Sequence, residues 1–155
     1  MLIDQFRKRV LKEIAERGET LKQFATRGLR MPTKRLRGML GRKNLRLGRC
    51  DEVALVLGLA TAQLLTDDLV IESGELPPAT EVVQAAIDAA LQREDLTGAM
   101  VAEALGITRQ ALSKDLVRGN PSLSRLEQIA GIFEMEPWRL CVPPDVEIIG
   151  GKDDK

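Results

Sequence analysis

The chain has 155 residues, room for one ordinary domain or two small ones, and its 44% hydrophobic and 30% charged residues are those of a globular protein. Histidine is absent and cysteine occurs only at Cys50 and Cys141, which excludes a structural zinc site with its roughly four Cys or His ligands; the Cys–His pair and the Ser–His–Asp triad are excluded for the same reason. The net charge of zero hides an asymmetry: residues 1–50 carry +11, residues 51–105 carry −10 and residues 106–155 carry −1. A basic first third implies a polyanionic partner for that part, or else two oppositely charged faces that attract each other. No GxGxxG or GxxxxGK[ST] phosphate loop occurs, so the chain reads as a non-enzyme with no cofactor. No apolar run approaches the ~18–20 residues of a bilayer span, and the N-terminal MLIDQFRKRVLKEIAERG is charged throughout, unlike a signal peptide. The expected location is the cytoplasm.

Taken in chain order, Ile3, Phe6, Val10 and Ile14 recur at spacings of three and four and predict a helix that buries one face. Thr20 is a predicted N-cap, completed as a capping box by Gln23, for a short helix to about residue 27. A Gly-containing turn follows, then a helix over about 32–40 with Pro32 suited to the first helical position. Leu47, Cys50, Val53, Ala54 and Leu57 predict a fourth helix. Residues 66–80, TDDLVIESGELPPAT, form a linker broken by Gly74, Pro77 and Pro78. Its DLVIES segment is a candidate short strand that could pair with DVEIIGG in the tail. Val83, Ala86, Ile87, Ala90 and Leu91 then start a new helix, Thr97 is a second predicted N-cap, and further helices are predicted over 109–117 and through Leu123, Leu126, Ile129, Ala130 and Phe133. The closing KDDK is read as disordered.

These two series are one pattern repeated. A shift of 76 pairs Leu29 with Leu105, Leu36 with Leu112, Leu40 with Leu116, Asn44 with Asn120, Leu47 with Leu123, Ala54 with Ala130 and Leu64 with Leu140. Upstream a shift of 77 pairs Thr20 with Thr97 and Ala25 with Ala102, so the first copy carries one extra residue, expected in the turn near 28–30. Cys50 aligns with Leu126 and Cys141 with Leu65, which predicts buried thiols. Trp138 aligns with Ala62, as a packing residue or an interface anchor. The reading is an all-α chain: a first unit over 1–66, a linker over 67–78, a second unit over 79–142 and a tail over 143–155.

The second copy, LTGAMVAEALGITRQALSKDLVRGNPSLSRLEQIAGIF, resembles the phage repressor and Cro-like helix-turn-helix family (the xenobiotic-response-element class). Ala102, Gly106, Ile107 and Leu112 carry the resemblance together with the closing RGNPSLSRLEQIA. Thr108 to Leu126 is similar to its antitoxin and prophage-regulator branch. Gly98 departs from a pattern that often has Gln there. The resemblance implies two tandem five-helix lambda-repressor-like domains, each placing its third helix in the major groove of double-stranded DNA. The residues then implied to read bases are Thr33, Lys34 and Arg37 in the first copy and Arg109, Gln110, Ser113 and Lys114 in the second, Arg suiting guanine and Gln adenine. Thr20, Lys22, Arg35, Arg42, Lys43, Asn44, Thr108, Arg118, Asn120 and Ser122 are implied to hold phosphates. The function implied is a sequence-specific transcriptional regulator, a repressor of a phage or mobile-element operon, as a monomer or a homodimer. The competing reading is a protein-interaction module, an antitoxin or antiactivator, in which one copy serves dimerisation or partner binding. An architectural DNA-coating protein would carry net positive charge, which this chain lacks.

Overall fold

A computed structural model of the chain describes residues 1–67, 70–71, 76–117, 119–144 and 148–149. The fold is mostly helical. The first copy comprises α1 (Leu2–Glu16), α2 (Leu21–Gln23), a π-helical turn (Phe24–Gly28), α3 (Thr33–Leu40), α4 (Leu47–Leu57) and α5 (Thr61–Leu64). The second comprises α6 (Ala79–Arg93), α7 (Gly98–Leu105), α8 (Arg109–Val117), α9 (Leu123–Ile132) and a 3-10 helix (Pro137–Cys141). Val70–Ile71 pairs antiparallel with Ile148–Ile149, Val70 opposite Ile149, so the linker and the tail do meet as a short strand pair. The predicted disorder of KDDK, and Gly74 of the linker, lie outside the described residues.

Each helix buries the face its periodicity marks out. Ile3, Phe6, Val10 and Ile14 are buried along α1; Leu47, Cys50, Val53, Ala54 and Leu57 along α4; and Leu123, Leu126, Ile129 and Ala130 along α9. Thr20 forms the expected capping box: its hydroxyl accepts from Gln23 N–H at 3.1 Å while Gln23 Oε1 accepts from Thr20 N–H at 2.9 Å. Two expectations shift. Pro32 is the N-cap of α3 rather than its first helical residue, its ψ of 144° still extended. The extra residue of the first copy is taken up inside the helix, not in the turn. In the second copy Ile107 N–H donates to Ala102 C=O, five residues back, with Gly106 left-handed at φ 71°. In the first, Met31 N–H donates to Ala25 C=O, six residues back, with Arg30 left-handed at φ 53°. The π turn absorbs the difference, the usual consequence of a one-residue insertion in a helix. Gly28 therefore sits within that turn, where a Cβ would lie 2.7 Å from Val56 Cγ1, so glycine lets the turn approach α4.

The two copies are not beads on a string. Their buried side chains form one continuous cluster, and each copy leans on the other: α1 packs on α9, α4 on α6, and α5 on the 3-10 helix. At the centre the chain makes an antiparallel bridge between Arg46 and Ser122. Leu47 N–H donates to Pro121 C=O at 2.9 Å, and Leu123 N–H donates to Leu45 C=O at 2.8 Å. The shift of 76 turns each of these bonds into the other, so the copies are related by an approximate twofold axis passing between Arg46 and Ser122.

The same exchange governs the ends of the first helices. On α4, the Asp51 carboxylate accepts from the N–H groups of Ala79 (2.9 Å) and Thr80 (3.0 Å), the first residues of α6, and from the hydroxyls of Thr80 and Thr61. On α9, its counterpart Glu127 accepts from Leu2 N–H at 3.2 Å, the first residue of α1. Helix N-termini expose unpaired N–H groups and a partial positive charge, and a carboxylate satisfies both. Gly119, at φ 61°, belongs to this contact: a Cβ there would lie 2.3 Å from the Thr80 carbonyl oxygen.

Two measurements follow. Asp51→Ala removes four accepted hydrogen bonds at once and is expected to cost about 2–4 kcal/mol of stability. Exposed Glu52→Ala on the same helix is the control, and chemical denaturation should show a single transition in both, since the copies share a core. Cys50 and Cys141 are fully buried and free, as their alignment with leucines predicts. Burial pushes both thiols well above their ordinary range, with further increments at Cys50 from Cys141 and Asp51 and at Cys141 from Asp51. Thiols that stay protonated in the fold but ionise when unfolded favour the folded state fully below the ordinary thiol range and progressively less above it. Stability should therefore fall as pH rises past about 9, by up to about 1.4 kcal/mol per pH unit for each thiol, and this component should vanish in a Cys50→Ala/Cys141→Ala variant.

Candidate nucleic-acid interface

In each copy a short helix, a turn and a second helix stand against the shared core, and the second helix presents an outer face. On α3, Leu36, Met39 and Leu40 are buried while Lys34, Arg35, Arg37 and Gly38 are exposed and Thr33 is half-buried. On α8, Leu112 and Leu116 are buried while Arg109, Gln110, Ala111, Ser113 and Lys114 are exposed. Each residue implied to read bases thus lies at the start or on the outer side of its helix. Thr108 caps α8, its hydroxyl accepting from Ala111 N–H at 3.0 Å. A capping hydroxyl keeps its own hydrogen to donate, and the same holds for Thr20.

Some cations of the first copy are engaged within the chain and others are not. Arg7 pairs with Asp4, Arg9 with Glu13 and Asp67, and Arg49 with Glu52, while Arg17 donates to the carbonyls of Val56 and Leu57 at the end of α4. Lys22, Lys34, Arg35, Arg37, Arg42 and Lys43 are exposed and form no ion pair with a described residue. Among the described residues only Arg9–Asp67 and Arg49–Glu52 join the basic first third to the acidic middle, and Lys8 and Lys12 on α1, like the cations on and around α3, form no ion pair with a described residue. In the second copy Asp115, the acid on α8, is held by Arg125 at 3.2 Å and is less a free charge than the sequence suggests.

The implied phosphate ligands do not share one fate. Lys22, Arg35, Arg42, Lys43, Asn44, Thr20 and Thr108 are exposed. Arg118 lies outside the described residues. Asn120 and Ser122 are drawn inward to the axis. Asn120 Oδ1 accepts from Gly48 N–H at 2.7 Å and its carbonyl accepts from the Arg46 guanidinium at 2.9 Å. Ser122 bridges Arg46 and caps α9, its hydroxyl accepting from Arg125 N–H at 3.1 Å. The sequence counterpart of Asn120 is no guide here, because Asn44 stays exposed, whereas that of Ser122 is its bridge partner Arg46. Sequence reasoning also missed Arg46, an exposed cation on the axis, which lines a cleft of about 210 Å³ with Lys114, Asp115 and Asn120. Its only advance signal is its alignment with Ser122, one residue before a helix.

Among the described residues no group of His, Cys, Asp or Glu is placed to hold a metal ion, and no helix is long and apolar enough to cross a membrane. Comparison with protein-family models, with curated proteins and with solved structures gives no match.

The unequal use of the two asparagines is testable. Asn120→Ala leaves the Gly48 amide without its partner and is expected to lower stability by about 1–3 kcal/mol. Asn44→Ala, in the aligned position but exposed, should change it by less than about 0.5 kcal/mol. Equal costs at the two sites would contradict the asymmetry of the axis.

Proposed function

We propose that the chain is a sequence-specific double-stranded DNA-binding transcriptional regulator, composed of two lambda-repressor-like helix-turn-helix units that act as an internal dimer. The observation that carries this reading is the twofold bridge at Arg46 and Ser122. A rotation axis keeps related elements at one level along its direction, an arrangement that suits α3 and α8 to a common binding face. The segments leaving both helices run to the axis. DNA-reading dimers use this symmetry to place two recognition helices in successive major grooves. The unpaired cations around α3 supply the attraction for phosphates, which is largely independent of sequence. Directional groups on both helices supply the discrimination: the donors Lys34 and Arg37 on one side, and Arg109 with the donor and acceptor of Gln110 on the other. Repression of a phage or mobile-element operon is the role that the sequence resemblance adds.

Because the two reading faces differ residue by residue, the operator is expected to be two unlike half-sites bound by one chain. Selection of bound fragments from random DNA should return a bipartite consensus, with a stoichiometry of one chain per site. Arg109→Ala should then cost about 1–3 kcal/mol and relax preference at a single base pair within one half-site only. A uniform loss over all sequences would make Arg109 a phosphate contact instead. Binding without sequence preference would overturn the regulator, and no DNA binding at all would favour the interaction module.

A further inference from the structure

The repeat also shows where its second copy is underfilled. In the first copy Phe24 is a core residue, 1% exposed. At the shift of 77 its counterpart is Val101; likewise Leu21 is replaced by Gly98 and Leu11 by Asp88. Two large apolar side chains have thus become small or vanished, and a third has become a carboxylate. Where Phe24 and Leu21 have given way to Val101 and Gly98 lies a cavity of about 320 Å³ between α6, α7 and α8; Leu11 is itself 42% exposed, so Asp88 adds a rim charge rather than space. Its floor is apolar: Ile87, Leu91, Val101, Leu112, Leu116 and Ile129. Its mouth is polar, formed by Gln84, Asp88, Arg109 and Ser113. Leu112 and Leu116 are 4% and 9% exposed here, against 0% and 2% for Leu36 and Leu40 in the first copy.

We infer that this cavity is a binding site for a small organic acid with an apolar body, and that its occupancy competes with DNA. The volume lies at the small end of ligand pockets, and an apolar floor with a few polar groups at the rim is their usual composition. The rim charges are not equivalent. Asp88 already accepts from Gln84 Nε2 at 3.0 Å, whereas Arg109 pairs with no carboxylate among the described residues. The uncommitted guanidinium is a fork suited to a carboxylate. Competition rests on the DNA reading proposed above: Arg109 and Ser113 belong both to the cavity mouth and to the reading face of α8, so a ligand that holds Arg109 withdraws it from the base. Linkage then requires the acid and DNA to weaken each other's binding by the same factor.

The test is an NMR titration of the full chain, without DNA, using benzoate and phenylacetate, with benzyl alcohol and benzylamine as neutral and cationic counterparts. Saturable shifts confined to α6, α7 and α8 are expected, with the acids binding at least tenfold tighter than the alcohol or amine. Arg109→Ala should abolish that preference while leaving alcohol binding in place. Gly98→Leu/Val101→Phe, which restores the residues of the first copy, should abolish binding of all four probes at an unchanged or raised melting temperature. No saturable binding by any probe, binding that survives the filled variant, or no preference for acids overturns the site. In a second arm, saturating benzoate should lower affinity for the selected DNA at least tenfold; site occupancy with unchanged DNA affinity overturns the competition. The first arm contains no DNA, so a failure of the DNA reading leaves its result standing.

Discussion

Each copy's first helix begins on a carboxylate that belongs to the other copy. Asp51 receives the start of α6 and Glu127 receives the start of α1, and most of the architecture depends on this crossing. It fixes α1 on α9 and α4 on α6, so neither first helix can dock correctly unless the opposite fourth helix is in place. The bridge at Arg46 and Ser122 lies one residue before each of those fourth helices. The carboxylates and the backbone bridge are therefore two layers of one joint. The joint ties together the two copies that carry α3 and α8, so under the proposed DNA reading a stability device bears directly on what the outer face can recognise.

The twofold relation is imperfect where the joint is tightest. Gly48 N–H goes to the side chain of Asn120, whereas its counterpart Ser124 N–H goes to the backbone carbonyl of Lys43. Glycine at 119 admits the Thr80 carbonyl; the first copy has Lys43 in that place. Among the described residues Asp51 accepts from four donors, whereas Glu127 accepts from Leu2 N–H at 3.2 Å. The second copy's first helix is thus the more firmly tied, at an N-terminus introduced by Pro77 and Pro78 that would otherwise leave its amides open.

Much of the helical content was legible in the sequence because burial leaves a period. The fourth helices were plainest, since Leu47, Cys50, Val53, Ala54 and Leu57 repeat as Leu123, Leu126, Ile129, Ala130 and Phe133, and a core face tolerates little else. Sliding the chain along itself also revealed the extra residue of the first copy, but not how it is absorbed. A turn and a π-helical segment are alternatives whose choice depends on the packing of Gly28 against Val56, a contact between segments distant in sequence. The joint was invisible for the same reason. Asp51 and Glu127 look like ordinary acids on amphipathic helices, and nothing local announces that their partners lie nearly thirty and more than a hundred residues away. Asn120 and Ser122 look like phosphate ligands in the sequence because they follow the third helix of their copy and lead into the fourth; the axis that engages them is a property of the assembled pair. The outer residues of α3 and α8 were easier, since a helix with one buried face leaves its other face readable by subtraction.

Joining the two copies in one polypeptide has a consequence for how such a protein can change. In an assembly of two identical subunits every substitution is made twice, so any alteration of a recognition surface is imposed on both halves of the target together. Here the surfaces have separate codons. A change at Lys34 leaves Arg109 as it was, and the underfilled core of one copy coexists with the filled core of the other. Under the DNA reading proposed above, the shared joint must be kept while the two outer faces are free to diverge, so the molecule can follow a target whose left and right arms mutate independently.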